Sequence, residues 1–304
     1  MLFYSCVVQV PKKKENASIK KKIAAIFILV ALLASYVTYF FSSQNNSITT
    51  PSPEAFKHVE WMNYVPSNIS GFQYMNTTAL KSFNNLFSSE SLISLSEPLL
   101  NISIQDIEFL IEIGVTNTAL VEVLKTNATF FSQINGILVA SNISSISYNN
   151  ITIYKVHSGQ NASTGFFWVA PVNGTLIYCE DTVFGPFAIR NIIDANNDPF
   201  FNDDAYKIGY LLVAPNQNYY SFFCINEEAN DLKINWDMRC VYGDTSITRK
   251  EAFFFSSKED LNAKYQTVID QLTSKTGIIQ TTDRFLIVTN TYTLAEIRDA
   301  LIGA

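Results

Sequence analysis

Residues 107–124 read IEFLIEIGVTNTALVEVL, and their periodicity decides the fold class. Ile107, Phe109, Ile111, Ile113 and Val115 recur at every second position, so an extended chain sets all five on one face. Glu108 and Glu112 point to the other face. After a polar turn, Ala119 to Leu124 reads as the next strand. The period then changes. Phe130, Phe131, Ile134, Ile137 and Leu138 fall at helical spacing, in a helix that Thr126 is placed to cap and that runs through Val139. Ile151 to Val156 returns to strand. On the N-terminal side, Ile69 to Met75 reads as a strand and Thr77 to Ser88 as a helix. The order is strand, helix, strand, strand, helix, strand. That order predicts the split β-α-β arrangement of a ferredoxin-like layer, with helices on one face of an antiparallel sheet.

Further out, Gly165–Ala170 and Thr175–Glu180 read as strands joined by the turn Pro-Val-Asn-Gly, and Phe184–Ala195 as a helix. Ile208–Ala214, Tyr219–Ile225 and Ile234–Tyr242 are strand-like, and Ala252–Ser256 leads into a helix from Lys258 to Ser274. Ile278–Thr282 and Phe285–Thr289 form a hairpin, and Thr293 with Glu296 makes a capping box for a last helix. Leu176-Ile-Tyr-Cys with Ile189-Arg190 parallels Leu286-Ile-Val-Thr with Ile297-Arg298. The parallel predicts an internal duplication, with the boundary between Asn196 and Asp204. The expected architecture is therefore an α+β ectodomain of two tandem ferredoxin-like modules, residues 67–198 and 199–304.

Residues 23–41, IAAIFILVALLASYVTYFF, carry no charge. A helix of that length rises about 28 Å, close to the hydrocarbon thickness of a bilayer. Six lysines precede it within residues 1–22, and no Lys or Arg follows until Lys57. The bias predicts a single-pass signal-anchor with a cytoplasmic N-terminus and an extracytoplasmic C-terminal domain. The apolar run is long and its outer flank is a poor cleavage site, which disfavours a cleaved signal peptide. Residues 42–66 read as a stalk and juxtamembrane segment. Beyond residue 22 the chain holds 15 basic and 26 acidic residues. Nucleic acid, which needs a basic footprint, is not an expected partner.

Cys6 lies in the basic tail, and Cys179, Cys224 and Cys240 lie beyond the anchor. Cys224 and Cys240, on candidate neighbouring strands, are the expected disulfide. Glycosylation acceptors beyond the anchor begin at Asn45, Asn68, Asn76, Asn101, Asn127, Asn142, Asn150, Asn161 and Asn173, which makes the chain a candidate glycoprotein. The acidic loop Asp194–Asp204 sets Asp194, Asn196, Asp198 and Asn202 at positions one, three, five and nine of a calcium-type loop. Pro199 stands where that loop needs Gly, and Ala205 where it needs Glu. Calcium is the one cofactor the spacing admits; an interdomain linker is the competing reading.

The chain has two histidines, His58 and His157, both read as surface residues. There is no nucleophile elbow, zinc-protease motif, phosphate loop or dinucleotide fingerprint. Glu108 and Glu112 share a strand face and are weighed as an acid/base pair against plain solvated acids. Tyr219, Tyr220, Phe222, Phe223, Trp236 and Phe253 to Phe255 supply core, with a contact surface for a partner chain or glycan as the functional alternative. The expected function is non-enzymatic: a membrane-anchored module that binds a protein partner at the cell surface or serves an envelope complex. A surface hydrolase using dispersed carboxylates in an inter-module cleft, and a pilin-like filament subunit, are the alternatives.

Overall fold

Strand β1 (Gly71–Met75) pairs antiparallel on both sides, with β2 (Ile107–Thr116) and with β8 (Ser221–Asn226). This double pairing overturns the tandem-module expectation. The structure, a computed structural model, describes residues 47–86, 104–116, 119–157, 166–180, 183–214, 218–226, 234–271 and 277–302. Residues 48–304 form one compact unit. Its other strands are β3 (Ala119–Thr126), β4 (Ser145–Tyr148), β5 (Ile151–His157), β6 (Phe166–Val172), β7 (Thr175–Cys179), β9 (Ile234–Tyr242), β10 (Ile247–Phe255), β11 (Ile278–Thr281) and β12 (Phe285–Tyr292). All twelve join one sheet in the order β11-β12-β10-β9-β8-β1-β2-β3-β7-β6-β5-β4, and every pairing is antiparallel.

The ferredoxin-like expectation fails because, among the described residues, no two neighbouring strands run parallel. A split β-α-β layer needs parallel neighbours, whereas β1 and β2 are antiparallel neighbours with Met75 facing Leu110. The strands also bury both faces. In β7 all five residues are buried, which one layer of helices could not achieve.

Among the described residues six helices lie on the two faces: α1 (Thr77–Leu80), α2 (Ala128–Ala140), α3 (Gly185–Ile193), α4 (Asp204–Val213), α5 (Lys258–Gln271) and α6 (Ile297–Ile302). On the first face, α3 and α4 pack with Phe200 and Phe201 against Phe72, Ile111, Val121, Ile177, Phe222 and Met238. A short 3-10 turn, Glu60–Tyr64, inserts Trp61 and Met62 into that same core. On the second face, α2 buries Phe130, Ile134 and Leu138, α5 buries Leu261 and Val268, and α6 buries Ile297, Ala300 and Leu301. Among the described residues no helix is long and apolar enough to cross a membrane; the run 23–41 lies outside them.

Helix α4 replaces the strand expected over Ile208–Ala214. Asp203 caps it, its carboxylate accepting from the Ala205 N–H at 2.7 Å. A short apolar run does not distinguish a strand from a buried helix by period alone, and the cap decides here. Gly209 lets the helix lie directly on the sheet, since a Cβ there would meet Met238 Sδ at 2.5 Å. Strand β4 and the first half of β10 were not expected. Asn149 and Asn150, at φ 46° and 64°, form the tight turn that returns β4 into β5.

Asn127, not Thr126, caps α2. Its Oδ1 accepts from Phe130 N at 2.9 Å, while its Nδ2 donates to Asp106 Oδ1 at 3.1 Å. Asn127→Ala is expected to cost about 1 kcal/mol in a urea titration, the usual value of a lost N-cap. An unchanged midpoint would contradict that role.

Candidate functional site

The pairings set one row of side chains across the second face: Tyr178, Glu122, Glu112, Gln73, Phe223, Arg239, Glu251 and Val288, each opposite the next. The middle six are polar, charged or aromatic, where the neighbouring rows are largely apolar. The row has two ends of different chemistry, one on each side of the β1–β8 junction.

At the β9–β10 end the charges are paired and buried. Arg239 donates to Glu251 Oε1 from Nε at 3.2 Å and from Nη2 at 2.7 Å. It also reaches Asp237 Oδ2 at 3.4 Å and lies over the Phe223 ring at 5.1 Å. Arg249 Nη2 donates to Glu251 Oε2 at 3.0 Å. Burial alone would raise the Glu251 carboxyl, but the two guanidiniums overcome it and hold Glu251 below the usual range. Asp237 goes the other way. Burial first, then the charge of Glu251, push it well above the carboxylate range, against the pull of Arg239. Its Oδ1 is buried with no hydrogen-bond partner among the described residues.

At the β2–β3 end the surface opens. Glu112 is half-buried, and burial raises its carboxyl. Glu122 faces it directly. Leu120, on the same face, is 54% exposed. Expected acid/base partners Glu108 and Glu112 are not brought together. The β2–β3 register shifts between Ile107 and Phe109, and Glu108 at that bulge is exposed. Glu112 instead meets Glu122, a pairing that needs the register to be seen.

The calcium-loop residues do not converge either. Asp194 accepts from Tyr148 Oη and from Asn149 Nδ2 at 3.1 Å, which ties the β4–β5 turn to the end of α3. Asp198 accepts from Ser67 Oγ, and its carbonyl accepts from Ser67 N at 2.9 Å. Asn196 and Asn202 are exposed in separate short turns. Among the described residues, no three His, Cys, Asp or Glu side chains are grouped to hold a metal ion.

The expected disulfide is not made. Cys179, Cys224 and Cys240 are buried and in no disulfide among the described residues. Cys224 lies opposite Met238 and Cys240 opposite Phe222, so the two are diagonal, roughly 7–8 Å apart at Cα and beyond bridging distance. Burial pushes both thiols up. A maleimide is therefore expected to leave all three untouched in the folded chain and to modify all three in guanidinium, read by intact mass. Labelling of any of them in the folded chain would contradict the packing.

Of the sequon asparagines, Asn45, Asn101 and Asn161 lie outside the described residues. Asn68, Asn142, Asn150 and Asn173 are exposed. Asn76 and Asn127 use their amide oxygens as helix caps. His58 is exposed beside Phe56, and His157 ends β5 beside Phe166. Most of the aromatic residues weighed as a contact surface are core. Tyr219, Phe222, Trp236 and Phe253 to Phe255 are buried, and only Tyr220 and Phe223 are half-exposed.

No family model matches the sequence, and no curated protein matches it. Among solved structures the chain is similar to TP0453. Crystal form III aligns at 12% identity and TM-score 0.48, covering 81% of this chain and 98% of that one. Form IV aligns at 10% identity and TM-score 0.48, covering 83% and 99%, and form I at 11% and 0.44, covering 80% and 98%.

Proposed function

We propose that the chain is a non-enzymatic, membrane-anchored module that binds a protein partner outside the cytoplasm. The anchor reading rests on the uncharged run 23–41 behind six lysines. The partner-binding reading is carried by the open end of the polar row, where Leu120 stands more than half exposed beside the half-buried carboxyl of Glu112. Water could solvate Glu112 fully if the strand were free, so the site holds a carboxyl at a partial desolvation cost beside an uncovered apolar side chain. A partner surface relieves both terms at once.

Extraction of native membranes in a mild detergent, followed by intact mass spectrometry of the purified complex, tests this reading. It expects a chain that resists carbonate extraction and carries a companion in fixed ratio. A chain released by carbonate, or purified alone at every detergent concentration, would count against it.

A further inference from the structure

The sheet does not close, so it has two edge strands, β11 and β4. They are not alike. The outer side of β11 is engaged, since Ile48 N donates to Thr281 O at 3.0 Å. On β4 the register says which groups face out. Lys155 N donates to Ser144 O at 2.8 Å, and Ile146 and Tyr148 stand opposite Ile153 and Ile151. Successive residues of a strand turn their N–H and C=O to opposite sides. Ser144, Ile146 and Tyr148 therefore bond inward to β5, while Ser145 and Ser147 present both groups outward. Among the described residues nothing bonds to those outward groups, and both serines are exposed.

Charge and symmetry say what fits this edge. Proteins guard sheet edges with charge, proline or a bulge. Residues 141–150 carry no charge and no proline, and the β4–β5 register is unbroken, so two copies of β4 meet without like charge. The outward groups stand one on each side of Ile146. That spacing is self-complementary about a two-fold axis at Ile146: Ser145 exchanges bonds with Ser147 of the partner subunit, and Ser147 with the partner's Ser145. Ile146 is only partly buried against the first-face core. In this register it faces the partner's Ile146 as a close, non-hydrogen-bonded pair, and each covers the other. Head-to-tail addition of β4 to β11 would meet Ile48 at Thr281 and would not close, which favours the closed pair over a filament.

We infer that β4 is a self-association edge, where two copies of this chain pair β4 to β4, antiparallel, about a two-fold axis at Ile146. The ladder has four hydrogen bonds, two for each pairing of Ser145 with Ser147, and one covered apolar pair. Such a contact is smaller than a standard stable interface, so the dimer is weak in solution. The inference rests on the sheet edge and not on the partner-binding reading, and either can fail without the other.

The test is cross-linking of the full chain in detergent, with Cys6→Ser in every chain so that no thiol of the basic tail competes. Ile146→Cys sets two thiols in a pair with Cα atoms about 4.5 Å apart, and oxidation with copper phenanthroline converts the chain to a covalent dimer. Ser145→Cys and Ser147→Cys each cross-link slowly alone, because each stands diagonal to its own copy, and readily when the two chains are mixed. Adding Ser147→Pro to Ile146→Cys lowers the cross-linked fraction about tenfold. It removes one outward N–H from each copy and leaves the bonds from β4 to β5 in place. Circular dichroism checks that this variant is folded, and the mixing experiment gives a reading independent of it. An Ile146→Cys chain that stays monomeric, or cross-links equally with and without Ser147→Pro, overturns the inference. So do equal rates for Ser145→Cys alone and mixed with Ser147→Cys. A companion from native membranes that cross-links to the Ile146→Cys chain in place of a second copy would assign the edge to another protein and overturn it too.

Discussion

Phe222→Ala is expected to lower the stability of the whole folded unit by about 3–5 kcal/mol, in one cooperative transition. Phe222 is fully buried on β8, the strand that joins the two halves of the sheet. Its ring stacks on Phe72 of β1 at 5.7 Å and packs on Trp61, Phe201 and Tyr210 at 5.9, 6.4 and 5.3 Å. Truncation opens a cavity between elements drawn from both halves, and rigid neighbouring rings cannot close it. Trp168 on β6 and Trp236 on β9 report on the two halves separately. Urea unfolding followed through each, with the other and Trp61 replaced by Phe in every chain compared, should give coincident curves that shift together in Phe222→Ala. Two separate transitions, with only the Trp236 curve moving, would mean that the halves fold as independent modules.

Arg239→Met is the second large effect. Arg239 supplies bonds to both Glu251 and Asp237, which are almost wholly buried. Its removal takes from the buried Glu251 carboxylate the closer of its two guanidiniums, at a cost of about 3–5 kcal/mol. Asp237→Asn is expected to behave in the opposite way. The Asp237 carboxyl titrates well above its unfolded value when folded, because burial and Glu251 oppose its charge. A raised folded pKa means that its contribution to stability is fully present below the unfolded pKa and is lost as pH rises through the folded one. Asparagine keeps the shape and cannot ionise. Unfolding midpoints measured at acid and at alkaline pH should therefore differ less in Asp237→Asn than in the parent. The same difference in both chains would show that Asp237 is not the group responsible.

Much of the local structure was legible. The alternation in residues 109–115 lies on β2, although the bulge turns Ile107 to the other face, and Ile234–Tyr242 coincides with β9, because half-polar strands announce their faces. The Thr293–Glu296 capping box is present as read. What failed was non-local. The β1–β8 pairing joins segments about 150 residues apart, and nothing in Gly71–Met75 distinguishes a strand paired on both sides from one at a module edge. Helix α4 was misread because Ile208 to Ala214 is apolar throughout, and the deciding signal was Asp203, assigned instead to a metal loop. The candidate site suffered most, since its row is assembled by seven separate registers. Its buried half did leave a trace: Asp237-Met-Arg239 and Arg249-Lys-Glu251 each put opposite charges two residues apart on a strand otherwise rich in apolar residues. Glu112 and Glu122 left none, because each alone looks like an ordinary outward acid.

One measurement bears most directly on the continuous sheet. Backbone hydrogen bonds from Asn226 N to Ser70 O at 2.9 Å and from Asn76 N to Tyr220 O at 2.8 Å make Gln73 and Phe223 a non-hydrogen-bonded pair. Such pairs have Cα atoms about 4.5 Å apart, within disulfide reach. Mild oxidation of the Gln73→Cys, Phe223→Cys chain should lock the two halves together completely, read as a loss of two maleimide-reactive thiols, without loss of fold. Two thiols that stay reduced and reactive would separate β1 from β8 and break the sheet in two.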